Sequence, residues 1–312
     1  MINAKKMFLI LLTFINFMSL EGSFIEQREL KKNIRRTREH IVTIPGQNGA
    51  GGGDMSLFFD DFRIVHTVPT PSYFYADLGQ NNCLTMLKET MDNVVPKEAR
   101  GVIIHASSQG TATALNYAAQ YPERISALIL EAVLPSGNST IVHTVESTLL
   151  TGVQKIPGSN WWLPYLAKVS MPFYSLSGLQ PILNVENIPN IPIIIIHSRL
   201  DPQTPFTGAQ ALYAGLRKFG RDETYLITIE EIGHVCLLHK EKHPDIIHAV
   251  QSILWHNNIF FDKKFPGLPK KDLEKYQPDL EECNIHYENL VTQENAFRKS
   301  IFSIGSSQLS SL

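Results

Sequence analysis

The stretch Val102-Ile-Ile-His-Ala-Ser-Ser-Gln-Gly-Thr111 decides how the rest of this sequence is interpreted. An apolar run typical of a buried strand passes directly into a small-residue helical pattern that continues to Gln120. Ser108 stands at the joint, where a sharp strand-to-helix turn strains the backbone and pushes the side chain out above the sheet. Ala106 and Gly110, two residues to either side, are small enough for the close passage of the helix backbone. The stretch therefore predicts a strained turn that holds the Ser108 hydroxyl above the sheet.

This stretch alone leaves two interpretations of the serine open. At a helix N-terminus the helix dipole and the free N–H groups favour negative charge, which suits a nucleophile. Serine is also a common helix cap, so that Ser107 or Ser108 could merely satisfy the helix end. The choice depends on the rest of the chain.

Strands and helices alternate on both sides of this turn. The predicted strands are residues 41–44, 62–68, 102–105, 125–133, 193–196 and 225–229. The predicted helices are residues 83–94, 111–120, 209–218 and 245–255. The strands are continuous apolar runs, which is typical of a parallel sheet covered by helices on both faces.

Two later strands are each followed by a residue that could complete a catalytic site. Asp201 lies just beyond residues 193–196, where ligands bind in open α/β sheets, although an acid before Pro202 could instead form a turn. His234 follows the next strand, and Gly233 frees the backbone that presents it. A lone histidine is more often structural. The chain order of serine, acid and histidine, each after a parallel strand, nevertheless matches one known arrangement for nucleophilic catalysis.

At this point the stretch from Gly101 to Trp255 resembles the α/β-hydrolase superfamily. Ala106-Ser-Ser-Gln-Gly110 resembles its Gly-x-Ser-x-Gly elbow, His197-Ser-Arg-Leu-Asp201 its His-Gly-x-x-Asp loop, and Gly233-His234 its Gly-His pair. Upstream, Pro45-Gly46-Gln47 is similar to the His-Gly-x loop that supplies part of the oxyanion hole.

The sequence departs from the family pattern in three places. Ala106 replaces the first elbow glycine, and Pro69–Tyr75 replaces the expected Asp-x-x-Gly-x-Gly-x-Ser segment. The N-terminal antiparallel strands of larger members are missing or reduced.

The resemblance implies an α/β-hydrolase fold, with a mostly parallel sheet and helices on both faces, and a serine hydrolase mechanism. Ser108 would attack an acyl carbon, His234 would take its proton, and Asp201 would hold the imidazole. The N–H groups of Gln109 and Gln47 would stabilise the oxyanion. The implied chemistry needs no metal and no organic cofactor.

Glu131 is a second candidate for the acid, since some triads place the acid at the end of the strand that it closes. We favour Asp201, because Glu131 lies within an apolar run and is expected to face solvent on the helix side.

Three further regions flank or interrupt the predicted hydrolase domain, residues 24–260. Residues 1–23, with two lysines before a short apolar run, predict a signal peptide or an uncleaved N-terminal anchor, and hence secretion or a place in the cell envelope. Residues of about 135–190, rich in aromatics and prolines, predict a lid insertion. Residues 261–312 predict a polar C-terminal extension whose end, from Ser303, is disordered.

The composition narrows the expected partners. Of the 312 residues 43% are hydrophobic and 19% charged, which is enough to bury a sizeable core. The net charge of −2 gives no field that would gather nucleic acid. We expect a small-molecule or lipid acyl substrate, no nucleic-acid partner, and contact with a membrane surface through the lid or N-terminus. Ester hydrolysis is the expected activity; the alternatives are an exported amide-cleaving peptidase and a non-catalytic binding protein of the same fold.

Overall fold

The computed structural model describes residues 40–46, 64–69, 81–96, 101–136, 180–231, 233–235, 243–259 and 265–309. The expected signal peptide or anchor, Gln47 and most of the expected lid insertion lie outside the described residues.

Six strands form one sheet. They are β1 His40–Ile44, β2 Ile64–Thr67, β3 Val102–Ser107, β4 Ile125–Glu131, β5 Ile193–Ser198 and β6 Thr224–Ile229. Their order is β2-β1-β3-β4-β5-β6, and every neighbouring pair is parallel. This confirms the parallel sheet predicted from the continuous apolar runs.

Helices connect and cover these strands. The α-helices are α1 Asn81–Asn93, α2 Gln109–Gln120, α3 Phe206–Lys218, α4 Pro244–His256, α5 Lys270–Leu273 and α6 Leu280–Leu309. Short 3₁₀ turns occur at Pro122–Arg124, Pro181–Leu183, Val185–Asn187 and Glu274–Tyr276.

The sheet separates two hydrophobic cores. Strand β5 shows why its sequence does not alternate: Ile193 and Ile195 face the core shared with α1, α2, α3 and α6, whereas Ile194 and Ile196 face the core shared with α4 and α5. All four side chains are fully buried. Both faces of this strand must therefore be apolar, as in other parallel sheets with helices on both sides.

The C-terminal region differs from its expected description as a polar extension with a disordered end. Helix α6 begins at Leu280 and continues to Leu309. Its residues Cys283, Tyr287 and Leu290 are buried in the core that also contains α3. These three residues recur at helical spacing among charged neighbours, so the average composition is polar although one face is apolar. Neither α6 nor any other helix in the described part of the chain is long and apolar enough to cross a membrane.

Candidate active site

The three residues singled out by the sequence lie beyond the carboxyl ends of parallel strands. Ser108 directly follows β3, Asp201 follows β5 and His234 follows β6. The carboxyl ends of parallel strands share one edge of the sheet, and ligands bind outside that edge in open α/β sheets. The fold thus places all three residues beyond the carboxyl-terminal end of the sheet.

The turn at Ser108 has the strained backbone that the sequence predicts. Its φ of 50° and ψ of −122° lie in a region that L side chains rarely adopt. The Ser108 N–H donates to the carbonyl of Glu131 at 2.9 Å, and the N–H and hydroxyl of Thr111 donate to the Ser108 carbonyl at 2.9 and 2.6 Å. The backbone N–H and carbonyl of Ser108 are therefore both hydrogen-bonded.

Gly110 is required by the close approach of α2 to the end of β1. A Cβ atom at this position would lie 2.5 Å from the carbonyl oxygen of Ile44 and 2.8 Å from that of Pro45. Both neighbours are backbone atoms, which cannot move aside as a side chain can. The small residue predicted here is thus needed where the turn packs against the β1 loop.

The side chain of Ser108 does not cap the helix. Although Ser108 occupies the N-cap position of α2, it makes no side-chain capping hydrogen bond. Its Oγ lies 2.8 Å from Nε2 of His234. The capping interpretation of Ser108 therefore does not describe this structure.

His234 joins Ser108 to Asp201. Its Nδ1 lies 3.0 and 2.9 Å from the two carboxylate oxygens of Asp201. An ionised carboxylate only accepts hydrogen bonds, so Nδ1 carries the proton and donates it. Nε2 then has a free lone pair directed at the Ser108 hydroxyl. This is the tautomer that a general base for Ser108 requires.

Asp201 also serves as the turn former that the sequence left as an alternative. Its Oδ1 accepts from the N–H groups of Gln203 and Thr204 at 2.7 and 2.9 Å, and its Oδ2 accepts from the Thr204 hydroxyl at 2.6 Å. Burial alone would raise the pKa of Asp201, but the hydrogen bonds from His234 and Thr204 outweigh it and lower the pKa below its ordinary value. The carboxylate is thus held ionised beside the imidazole.

Ser198 forms hydrogen bonds to both of the loops that carry Asp201 and His234. Its hydroxyl donates to the carbonyl of Glu231 and accepts from the N–H of Leu200 at 3.1 Å. Ser198 is fully buried at the end of β5. One hydroxyl therefore fixes the separation of the loops that present Asp201 and His234.

The carboxylate of Glu131, the competing acid, has a different partner. Its Oε1 is 2.6 Å from Nε2 of His105, whereas the carboxylate beside His234 is that of Asp201. The expectation that Glu131 faces solvent was wrong, because only 1% of it is exposed. The side chain is buried, and His105 on the neighbouring strand provides its polar partner.

Two residues support the acid: Thr204, which sequence reasoning missed, and His197, which the loop motif includes but to which the sequence assigned no role. Thr204 supplies two of the donors to Asp201. His197, fully buried, accepts from the N–H of Val133 at 3.1 Å through Nδ1, so its Nε2 carries the proton and donates to the Thr204 carbonyl at 3.2 Å. A threonine three residues after an aspartate is a usable signal for such a turn; the histidine contact depends on the folded strand.

The predicted oxyanion donors are described only in part. Gln109 is the first residue of α2, so its N–H is among those without an acceptor inside the helix. Gln109 directly follows Ser108, and the next residue, Gly110, packs against the backbone of Ile44 and Pro45. Strands β1 and β3 are neighbours in the sheet, but the chain passes from β1 to β2 on one side and from β3 to β4 on the other. In open α/β sheets the ligand binds at such a switch point.

Within the described ranges, no group of three or more His, Cys, Asp or Glu side chains is placed to hold a metal ion.

Solved structures of other proteins resemble this chain, although its sequence gives no match. No protein-family model matches the sequence, and no match was found among curated proteins. Est1E from Butyrivibrio proteoclasticus is 16% identical, with a TM-score of 0.50 over 73% of this chain and 92% of that one. The esterase Pf2001 of Pyrococcus furiosus is 13% identical, with a TM-score of 0.51 over 72% of this chain and 84% of that one. An acylaminoacyl peptidase of Pyrococcus horikoshii is 17% identical, with a TM-score of 0.51 over 77% of this chain and 40% of that one.

This chain has the α/β-hydrolase fold. At such identities the likeness concerns the fold alone, so it does not assign an activity. In the α/β-hydrolase fold of this chain, the turn after β3 carries Ser108, and the loops after β5 and β6 carry Asp201 and His234.

Proposed function

We propose that this protein is a serine hydrolase that cleaves carboxylic esters through an acyl-enzyme intermediate on Ser108. The observation that supports the proposal most strongly is the continuous hydrogen-bonded chain from Ser108 through His234 to Asp201. The strained backbone of Ser108 adds to it, because strain of this kind persists where the surrounding structure enforces it and is common at active sites.

In the first half of the proposed reaction, Ser108 Oγ attacks the carbonyl carbon of the ester while its proton passes to Nε2 of His234. Asp201 stabilises the resulting imidazolium. The N–H of Gln109 donates to the oxyanion, and we propose Gln47 as the second donor. The tetrahedral intermediate then expels the alcohol, which takes its proton from His234, and leaves the acyl group on Ser108.

In the second half, water attacks the acyl-enzyme. His234 Nε2 accepts a proton from the water and returns it to Ser108 Oγ as the ester bond to the serine breaks. The products are a carboxylic acid and the regenerated hydroxyl.

Amide cleavage is the second candidate, because one structure of the same fold is that of an acylaminoacyl peptidase. The same triad steps would cleave both substrates. Only the leaving group differs: an alcohol from an ester and an amine from an amide. We place ester cleavage first, since the esterase Pf2001 matches a larger share of its own length.

A panel of p-nitrophenyl esters with acyl chains of increasing length, run beside aminoacyl p-nitroanilides, tests the proposal. We expect ester turnover that disappears in Ser108→Ala. Faster turnover of the anilides would favour the peptidase. If the folded wild type turns over neither class, the non-catalytic alternative is favoured. If Ser108→Ala is as active as wild type, Ser108 is not the nucleophile and the proposed mechanism is wrong.

We also propose, from the sequence of residues 1–23 alone, that the protein is exported or held in the cell envelope by an N-terminal anchor. N-terminal sequencing of the protein from its native host tests this proposal. A mature chain that begins near residue 24 would support signal cleavage, whereas an intact N-terminus on soluble cytoplasmic protein would contradict it.

A further inference from the structure

A buried pair of titratable side chains lies beside the candidate nucleophile and has no part in the reaction proposed above. Nε2 of His105 and Oε1 of Glu131 are 2.6 Å apart, and each residue is only 1% exposed. Nδ1 of His105 has no hydrogen-bond partner within the described residues. The carboxylate is therefore the one side-chain partner of this histidine there.

The chain that follows Glu131 holds the nucleophile turn from one side. We call residues 131 to 134 the bridging segment. Its Glu131 carbonyl accepts from the N–H of Ser108 at 2.9 Å. The N–H of Leu134 donates at 2.9 Å to the hydroxyl of Thr111, which itself donates to the Ser108 carbonyl. Both ends of the bridging segment are thus hydrogen-bonded to the turn around Ser108.

The middle of the bridging segment is bonded to the strand that leads to Asp201. The N–H of Ala132 donates to the carbonyl of Ile196 at 2.9 Å, and the N–H of Val133 donates to Nδ1 of His197 at 3.1 Å. Ala132 has a φ of 50°, the second such residue beside the site. The bridging segment therefore connects the nucleophile turn with the acid loop, and its conformation is itself strained.

We propose that Glu131 is a positioning residue for Ser108: anchored by His105, its side chain fixes the bridging segment and, through it, the strained backbone that aims the Ser108 hydroxyl at His234. This inference rests on the proposed hydrolase function and adds a residue that touches no substrate. Glu131 acts through its own backbone carbonyl and through the peptides that follow it.

The energetics of burial support a role beyond stability. Removing two charges or polar groups from water is costly, and a buried ion pair is often no more stabilising than a well-packed apolar pair. Strained residues also need surroundings that over-determine their conformation. A polar anchor one hydrogen bond away from Ser108 meets that need, and a small displacement of a nucleophile costs a large factor in rate.

Four variants separate positioning from stability. Glu131→Gln keeps an oxygen that can accept from His105. Glu131→Leu removes the anchor, and the double variant His105→Leu/Glu131→Leu replaces both members of the pair by apolar side chains, so that neither His105 nor Glu131 remains without the other. Val250→Ala, in the core on the same face of the sheet, is the control for lost stability alone. The readout is the rate constant for labelling by a fluorophosphonate per folded molecule, with the folded fraction taken from urea titrations.

We expect Glu131→Gln to label close to the wild-type rate. We expect Glu131→Leu and the double variant to label at least about tenfold more slowly, even where the double variant has regained stability, because the bridging segment is no longer fixed. Val250→Ala should lose stability and keep the wild-type labelling rate.

The inference is overturned if the double variant or Glu131→Leu labels as fast as wild type, or if the rates of all four variants follow their stabilities. A folded wild type that does not label at all would instead refute the proposed function. The two failures are therefore distinguishable.

Discussion

Ser108 has a backbone conformation that glycine would adopt with less strain. Its φ of 50° with ψ of −122° is retained in a non-glycine residue because hydrogen bonds from both sides hold it. A strain of this kind costs on the order of 1–3 kcal/mol, which the fold must offset. Serine at position 108 is thus less favourable for stability than glycine would be.

The strain at Ser108 predicts that two substitutions of this serine differ in stability. Ser108→Gly should unfold with a free energy about 1 kcal/mol higher than Ser108→Ala, because glycine tolerates positive φ. Urea titrations of the two inactive variants measure the difference. A Ser108→Ala variant that is the more stable of the two would show that the turn is not strained.

Asp201 sets the tautomer of His234, which leads to a second prediction. Asp201→Asn keeps the shape of the side chain, but its amide can donate to Nδ1 and so place the imidazole proton on Nε2, facing Ser108. The turnover number should then fall by about 10³–10⁴-fold while the protein stays folded. Steady-state kinetics on the best ester would check this, and a loss below about tenfold would exclude Asp201 as the acid partner.

At the scale of elements, helix α6 carries a buried carboxylate that reaches the main body of the fold. Glu294, 1% exposed, accepts hydrogen bonds from the hydroxyl of Ser136 and, at 2.6 Å, from Nε2 of Gln180. Ser136 and Gln180 are the described residues on either side of residues 137–179. One carboxylate on α6 thus brings these two chain positions together.

Loss of this carboxylate should destabilise the fold. Glu294→Leu removes the acceptor of these two buried hydrogen bonds, at a cost of about 1–3 kcal/mol for each. Ile285→Ala, at a position of the same helix that is 62% exposed, should change the free energy of unfolding by less than about 0.5 kcal/mol. Equal urea midpoints for the two variants would mean that the Glu294 carboxylate does not stabilise the fold.

The elements differ in how far their sequence reveals them. The strands were predictable because a parallel strand is apolar on both faces, as residues 193–196 show. The placement of Ser108, Asp201 and His234 near one another was predictable, because each follows such a strand in a fixed order. Their catalytic roles stay a prediction. Helix α6 was missed, because the buried stripe containing Tyr287 is a minority among charged neighbours.

The side-chain pairs around the site could not be inferred in this way. The contact between His105 and Glu131 depends on the register of β3 against β4, in which Ser107 lies opposite Glu131. Thr204 and His197 meet only after β5 and the turn that follows it have formed. Composition and periodicity contain no information on such pairings.

At the scale of the whole molecule, a histidine pair links stability to pH. His40 on β1 and His66 on β2 are buried, with Nδ1 of the first 2.9 Å from Nε2 of the second and their rings stacked at 9°. Burial, with the neighbouring His40 adding to it, lowers the pKa of His66 from 6.5 to about 4, and burial also lowers the pKa of His40. Both groups are thus held neutral in the folded protein.

The sign of the pH effect follows from these directions. As the pH falls below 6.5, the His66 imidazole takes up a proton in the unfolded chain but not, until about pH 4, in the folded chain. His40, whose pKa is also lowered by burial, acts in the same direction. The stability present above pH 6.5 is therefore lost progressively towards pH 4. The urea midpoint of the wild type should fall across this range, and that of His66→Phe should fall less steeply. Parallel pH dependences for the two proteins would contradict this assignment.

The central claim is that Ser108 is a nucleophile activated by His234 and Asp201. Intact-mass measurement after treatment with a fluorophosphonate, followed by peptide mapping, tests it most directly. We predict a single adduct on the peptide that contains Ser108 in the wild type, and no adduct in folded Ser108→Ala. A folded wild type that remains unmodified, or an adduct that persists in Ser108→Ala, would contradict the claim.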